Sequence, residues 1–290
     1  MSTLIENVAK VKRAHAALKT AISAKGVTVP DGAKLSDMPA LVGEIQAMPP
    51  PTGQRMVFAS DTATSIVVQN PMVVDMTTVE DLSRCFNSCT SLKSLTLPSG
   101  FGQNATNLGH CFYYCLELPS LTLPSGFGQN ATNVEYCFGN CPKLTTLTLP
   151  SGFGQNATNI GYCFSNCPKL TTLTLPSGFG QNATNIGLCF YSCKSLTSLT
   201  LPAGFGRNAT YSNNCFGSCT SLTDITGSPI FKVSVSLRDC VNLTHDSLMV
   251  VINGLQTVTS AQTLTLGTTN LAKLTDAEKK VATDKGWTLA

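Results

Sequence analysis

Two cysteines separated by three residues recur along the middle of this chain with a constant step. The first member stands at Cys85, Cys111, Cys137, Cys163, Cys189 and Cys215, and the second at Cys89, Cys115, Cys141, Cys167, Cys193 and Cys219. Each step is 26 residues. A fixed period of this size implies a stack of like supersecondary units, each burying its apolar face against the next. In such a stack the core grows lengthwise, so 290 residues need not divide into globular domains.

The interior of each period is equally regular. A Leu-x-x-Leu-x-Leu-Pro segment carries Leu92/Leu95/Leu97, Leu118/Leu121/Leu123, Leu144/Leu147/Leu149, Leu170/Leu173/Leu175 and Leu196/Leu199/Leu201. Its Leu-x-Leu reads as a short strand with the leucines inward, because side chains alternate across a strand. Pro98, Pro124, Pro150, Pro176 and Pro202 end these strands, where a missing N–H costs least. A Gly-Phe-Gly loop follows, its glycines permitting turns closed to other residues. Stacking the turns places the strands in one parallel sheet, with short helices or turns opposite.

The run Cys137-Phe138-Gly139-Asn140-Cys141-Pro142-Lys143-Leu144-Thr145-Thr146-Leu147-Thr148-Leu149-Pro150, with Ile160 as the later apolar position, resembles the BspA-like class of leucine-rich repeat. The resemblance covers roughly residues 82–226. It implies an α/β leucine-rich-repeat-like solenoid and a binding rather than catalytic role. Cysteine replaces the usual alanine before the phenylalanine, and the loop is a few residues longer than usual.

The ends are different. Residues 1–47 read as a helical docking or oligomerisation segment. Leu4, Val8, Val11, Leu18 and Ile22 form an a/d seam interrupted by His15. A second helix is expected over Asp37–Ile45. The segment 48–55, with Pro49, Pro50 and Pro51, reads as a stiff linker. Residues 56–83 read as an N-terminal cap, 84–226 as the solenoid and 227–290 as a C-terminal cap. Within the last, Cys240 marks a degenerate turn, and a helix is expected over Asp246–Gly254 after Thr244. AQTLTLG reads as a strand. Thr275-Asp276-Ala277-Glu278 reads as a capping box opening a helix to Lys285, and Trp287–Leu289 as an edge strand. The C-terminal ending resembles caps on repeat proteins of gut bacteria and their phages. The segment AALKTAISAKGVTVPDGAKLSDMPALVGEI resembles leaders of phage tail and fibre proteins.

Charged residues make up 12% of the chain, and a net charge of +3 is too small to argue for nucleic acid. No apolar run reaches the ~20 residues of a membrane span, and the N-terminus lacks the apolar core of a secretory signal. A reducing cytosol, or a particle assembled there, is therefore the expected setting. That setting weighs against disulfides among the 13 cysteines. Their spacing would allow metal ligation, but Phe and Leu surround every pair and favour buried thiols acting as small hydrophobes.

Phe86, Phe112, Phe138, Phe164, Phe190 and Phe216 form one aromatic column, and Phe101, Phe127, Phe153, Phe179 and Phe205 another. Both read as core. Asn104, Asn130, Asn156, Asn182 and Asn208 are formal glycosylation acceptors but read as a ladder bonding the loop backbone. The outward Ser and Thr of the strands read as a solvated face.

The positions that vary flank the first cysteine or separate the pair, and tyrosine concentrates there. Tyr113, Tyr114, Tyr136, Tyr162 and Tyr191 are expected to form a binding edge, tyrosine being an amphipathic contact residue with few rotors. No catalytic constellation appears, since His15, His110 and His245 lie in unrelated contexts. No cofactor is expected. The first expectation is a non-enzymatic virion component of a bacteriophage, of tail-fibre, tail-tip or head-fibre type. It would dock on other virion proteins through its N-terminal segment, as a homo-oligomer with a trimer favoured, and bind a host cell-surface glycan or protein. The alternatives are a BspA-like adhesin of the bacterial cell surface and an intracellular interaction scaffold.

Overall fold

The computed structural model describes residues 62–67 and 79–290. The helices expected within 1–47, the seam of Leu4, Val8, Val11, Leu18 and Ile22, the linker and most of the N-terminal cap lie outside the described residues.

Seven short strands follow one another on the leucine face: β1 (Ser65–Val67), β2 (Ser94–Thr96), β3 (Ser120–Thr122), β4 (Thr146–Thr148), β5 (Thr172–Thr174), β6 (Ser198–Leu201) and β7 (Asp224–Gly227). They pair in parallel as β1-β2, β3-β4 and β5-β6-β7. Leu121 lies opposite Leu147 and Leu173 opposite Leu199, so neighbours in the sheet are one period apart. Ile66 lies opposite Leu95, a longer step that marks β1 as part of an atypical first turn. The central leucines of β3 to β6 are buried while the flanking Ser and Thr point to solvent.

Two further hydrogen-bonded walls run along the stack. One is a column of parallel bridges through Asp81, Asn107, Asn133, Asn159, Asn185 and Tyr211. The asparagine carboxamides turn back on their own loops: Asn107, Asn159 and Asn185 Oδ1 accept from the N–H two residues on, each at 3.0 Å. The other wall is the cysteine segment, where Phe112, Phe138 and Phe164 donate N–H to the Cys137, Cys163 and Cys189 carbonyls at 2.8–2.9 Å. Successive turns thus pair backbone donors and acceptors with one another across the stack, as buried amides require.

The cysteine segment is a succession of tight turns and not the short helix its spacing suggests. The residue before each cysteine takes a left-handed backbone, as at Tyr136 (φ 54°) and Asn140 (φ 55°), and that conformation interrupts an α-helix. Both thiols nevertheless face inward.

The core between the walls is aromatic. Phe86, Phe112, Phe138, Phe164, Phe190 and Phe216 stack with ring centroids 5.2–5.7 Å apart. The loop phenylalanines form a second column from Phe101 to Phe205, spaced at 6.1–6.5 Å. The columns touch turn by turn, Phe138 lying 5.7 Å from Phe153. Phe231 ends the second column edge-on.

Beyond β7 the period breaks. β8 (Val235–Ser236), β9 (Gln262–Thr265) and β10 (Trp287–Leu289) form a parallel sheet in the order β10-β9-β8. Three helices accompany it: α1 (His245–Gly254), α2 (Gly267–Leu271) and α3 (Asp276–Asp284). Thr244 caps α1, and Thr275 with Glu278 closes the expected capping box on α3. α2 and β8 carry no sequence signal that the periodic reading detects. Buried Ser247 of α1 bonds the Thr223 carbonyl at 3.1 Å and accepts from Ile225 N–H at 2.9 Å, which joins α1 to β7. α1 thereby covers the last turn of the array, whose apolar face a bare end would expose.

Candidate interaction surface

Buried thiols account for the cysteines. All thirteen are free and buried. From the second pair onward, the second thiol donates to the phenylalanine carbonyl of the preceding turn: Cys141 Sγ to Phe112 at 3.2 Å, Cys167 to Phe138 at 3.1 Å, Cys193 to Phe164 at 3.1 Å. Cys240 keeps this bond to Phe216 at 3.4 Å despite its irregular spacing. Burial raises the thiols of Cys137, Cys163, Cys189, Cys193 and Cys215 well above their ordinary pKa, and Cys219 is pushed up to about 12. A neutral buried thiol is a poor nucleophile and a poor metal ligand. Among the described residues no group of three or more His, Cys, Asp or Glu is arranged to hold a metal ion.

The loop asparagines form the expected ladder. Asn130, Asn156, Asn182 and Asn208 donate to the carbonyls of Gln103, Gln129, Gln155 and Gln181 at 2.9–3.0 Å. The outer strand face is a field of hydroxyls, two pairs of which bond each other, Ser94 with Ser65 and Thr200 with Thr226. Among the described residues the strands themselves, from Ser65–Val67 to Asp224–Gly227, carry no aromatic side chain.

The turn face carries several. Tyr136 stacks on Tyr162 with centroids 4.2 Å apart, and His110 stacks on the other side of Tyr136 at 4.8 Å. Tyr113 meets His110 and Tyr136 edge-on at 5.2 Å each, and Tyr114 meets Tyr113 at 4.5 Å. Four of the five expected tyrosines are therefore brought together in three successive turns. Tyr114 is 41% exposed, and Tyr113, Tyr136 and Tyr162 are half-buried because they cover one another. Tyr191 stands apart. It occupies the column of Tyr113, but Gly139 and Ser165 intervene, and its ring packs over Gly217.

His110 belongs to this cluster, although its chemistry as a titratable group gave no reason to place it there. Its position before the first cysteine of the pair, shared with Tyr136 and Tyr162, is the signal. Burial, and then the charge of Arg84, lower its pKa, so it joins the stack as a neutral ring at neutral pH. Burial also raises the phenols of Tyr113 and Tyr136, with Tyr114 and Tyr162 adding to each in turn. The cluster is thus an uncharged aromatic surface with hydroxyl tips, able to bury apolar area and hydrogen-bond at its rim.

Residues 56–180 and 135–245 match the family model described as the BspA type leucine rich repeat region, in 6 copies. Among solved structures, a leucine rich cell surface protein from Faecalibacterium prausnitzii A2-165 is 15% identical with a TM-score of 0.30, over 58% of this chain and 60% of that one. A leucine-rich repeat protein from Bacteroides ovatus ATCC 8483 is 16% identical with a TM-score of 0.22, over 78% of this chain and 84% of that one. The match thus spans less than two thirds of the first structure's length. No curated protein matches the chain.

Proposed function

Because this chain belongs to the BspA-type leucine-rich-repeat family, we propose that it is a non-enzymatic adhesin of the bacterial cell surface. Its solenoid holds a protein-contact surface made by Tyr113, Tyr114, Tyr136 and Tyr162 with His110. The stacked aromatic cluster carries this reading: turns that are otherwise near copies depart from one another where Tyr114 reaches solvent. Rigid aromatic rings clustered in a patch are the residues that dominate protein interfaces. The family match favours the adhesin over a virion component, for which no comparison offers support.

The test is to treat intact cells of the source bacterium with protease and identify the released peptides by mass spectrometry, with purified virions as the second arm. Release from cells supports the reading. Recovery in virions and not from cells overturns it. Replacing Tyr113, Tyr114, Tyr136 and Tyr162 together by Ala is expected to abolish adhesion while the thermal transition of the array persists. Unchanged adhesion would show that the aromatic edge is not the contact surface.

A further inference from the structure

The asparagine column ends in a substitution. After Asp81, Asn107, Asn133, Asn159 and Asn185 the next residue is Tyr211. Its three followers also depart from the repeat. Ser212 replaces the core residues Leu108, Val134, Ile160 and Ile186, Asn213 replaces the glycine of most turns, and Asn214 ends the His110–Tyr136 column. Ser212 is buried, and its hydroxyl donates to the Ser234 carbonyl of the C-terminal cap. Ser234 donates its N–H and its hydroxyl to Gln262 Oε1 at 2.6 and 3.0 Å, and its Oγ accepts from Thr263 N–H at 3.0 Å. The altered turn and the cap are therefore two walls joined at their base.

Between them lies an open cleft of about 410 Å³, within the usual range for small-ligand sites. Tyr211, Asn213 and Asn214 line one side, Ser234, Gln262 and Thr263 the other, and no charged residue lines it. We infer that this cleft binds a neutral saccharide. Tyr211 is 47% exposed, and its ring rests on Gly187, where an added Cβ would come within 2.3 Å of it. The glycine leaves room for the ring, which becomes a platform against which the C–H face of a pyranose can stack. The carboxamides of Asn213 and Asn214 are exposed to solvent where they line the cleft. A carboxamide both donates and accepts, which suits vicinal sugar hydroxyls that do the same. A charged ligand would find no opposite charge here. An apolar segment would meet hydroxyls and amides on both walls. The site is separate from the aromatic edge and does not depend on where the protein resides.

Saturation-transfer NMR with glucose, galactose, mannose, N-acetylglucosamine and the β1,4-linked trisaccharides of glucose and N-acetylglucosamine tests the inference on the full chain. At least one of these is expected to bind saturably. Tyr211→Asn restores the residue of the repeat, so it should fold while weakening that sugar roughly tenfold, about the upper end for one aromatic face. Tyr211→Phe should keep the affinity. Asn213→Gly, also the residue of most turns, is the second variant should Tyr211→Asn lower the melting temperature. Absence of binding by the wild-type protein, or wild-type affinity in both variants, would each overturn it.

Discussion

Phe138→Ala removes a ring from the middle of the aromatic column. Phe138 is fully buried, with Phe112 at 5.5 Å and Phe164 at 5.6 Å on its two faces and Phe153 at 5.7 Å on its edge. Phe-to-Ala changes in cores cost roughly 3–5 kcal/mol, and more where the cavity cannot collapse. Here the neighbouring rings are held at one-turn spacing by the backbone bonds Phe112 N–H to Cys137 and Phe138 N–H to Cys163. Collapse would break those bonds, so the cost is expected in the upper half of that range. A solenoid also distributes the loss unevenly, because each unit is stabilised mainly by its neighbours. Trp287 is the only tryptophan, buried in the cap with its indole N–H on the Gln256 carbonyl at 2.8 Å. Its fluorescence reports the C-terminal end, while far-UV circular dichroism reports the whole array. In urea titrations the wild-type midpoints by the two probes should coincide. In Phe138→Ala the circular-dichroism midpoint should fall well below the Trp287 midpoint. A loss under about 1 kcal/mol, far below a core Phe, would refute the aromatic column as the core. Equal shifts by both probes would refute nearest-neighbour stability.

Burial raises the thiols of Cys137, Cys163, Cys189 and Cys215 in the folded state, and Cys219 to about 12. Their contribution is complete below the ordinary thiol pKa and is lost as pH rises toward the folded values, because the unfolded chain ionises first. The urea midpoint should therefore hold near neutrality and fall steadily above about pH 9, and a flat alkaline profile would contradict it. Thr275→Ala removes the N-cap of α3 and should lower stability by about 1 kcal/mol in thermal melts, with Thr275→Ser nearly neutral. Ser192 lies at φ 62°, in a column where Asn140 and Asn166 take the same conformation. Ser192→Val should cost roughly 1–2 kcal/mol by denaturant titration and Ser192→Asn little, since a β-branched residue tolerates a left-handed backbone poorly.

The parts of the fold that could be read from the letters are those that repeat. In a stack of equal turns, residues at one register must meet, so the phenylalanine and cysteine columns and the asparagine ladder follow from the period alone. The same logic assembles Tyr136 with Tyr162, one period apart, and separates Tyr191, three periods from Tyr113. The left-handed backbone at the variable positions was not legible. Arg84, Tyr136 and Leu188 are not turn-forming residues, and only the stacked backbone holds them there. Nor was the cleft beneath Tyr211, because it exists only once Ser234 and Gln262, far along the sequence, fold back against the last turn.

The bonds that hold one turn to the next recur at equivalent places in successive turns, from Asn130 Nδ2 on Gln103 to Cys167 Sγ on Phe138. A whole turn could therefore be excised or duplicated between any two equivalent points, leaving each surviving interface with the partners it needs. Gene copies differing by one unit would encode proteins of the same stability per turn and a different length, by about 5 Å, the separation of adjacent strands. The aromatic edge and the cap would then move apart or together by that increment. The array is in this sense a graduated spacer, and its number of turns sets the distance between its two ends.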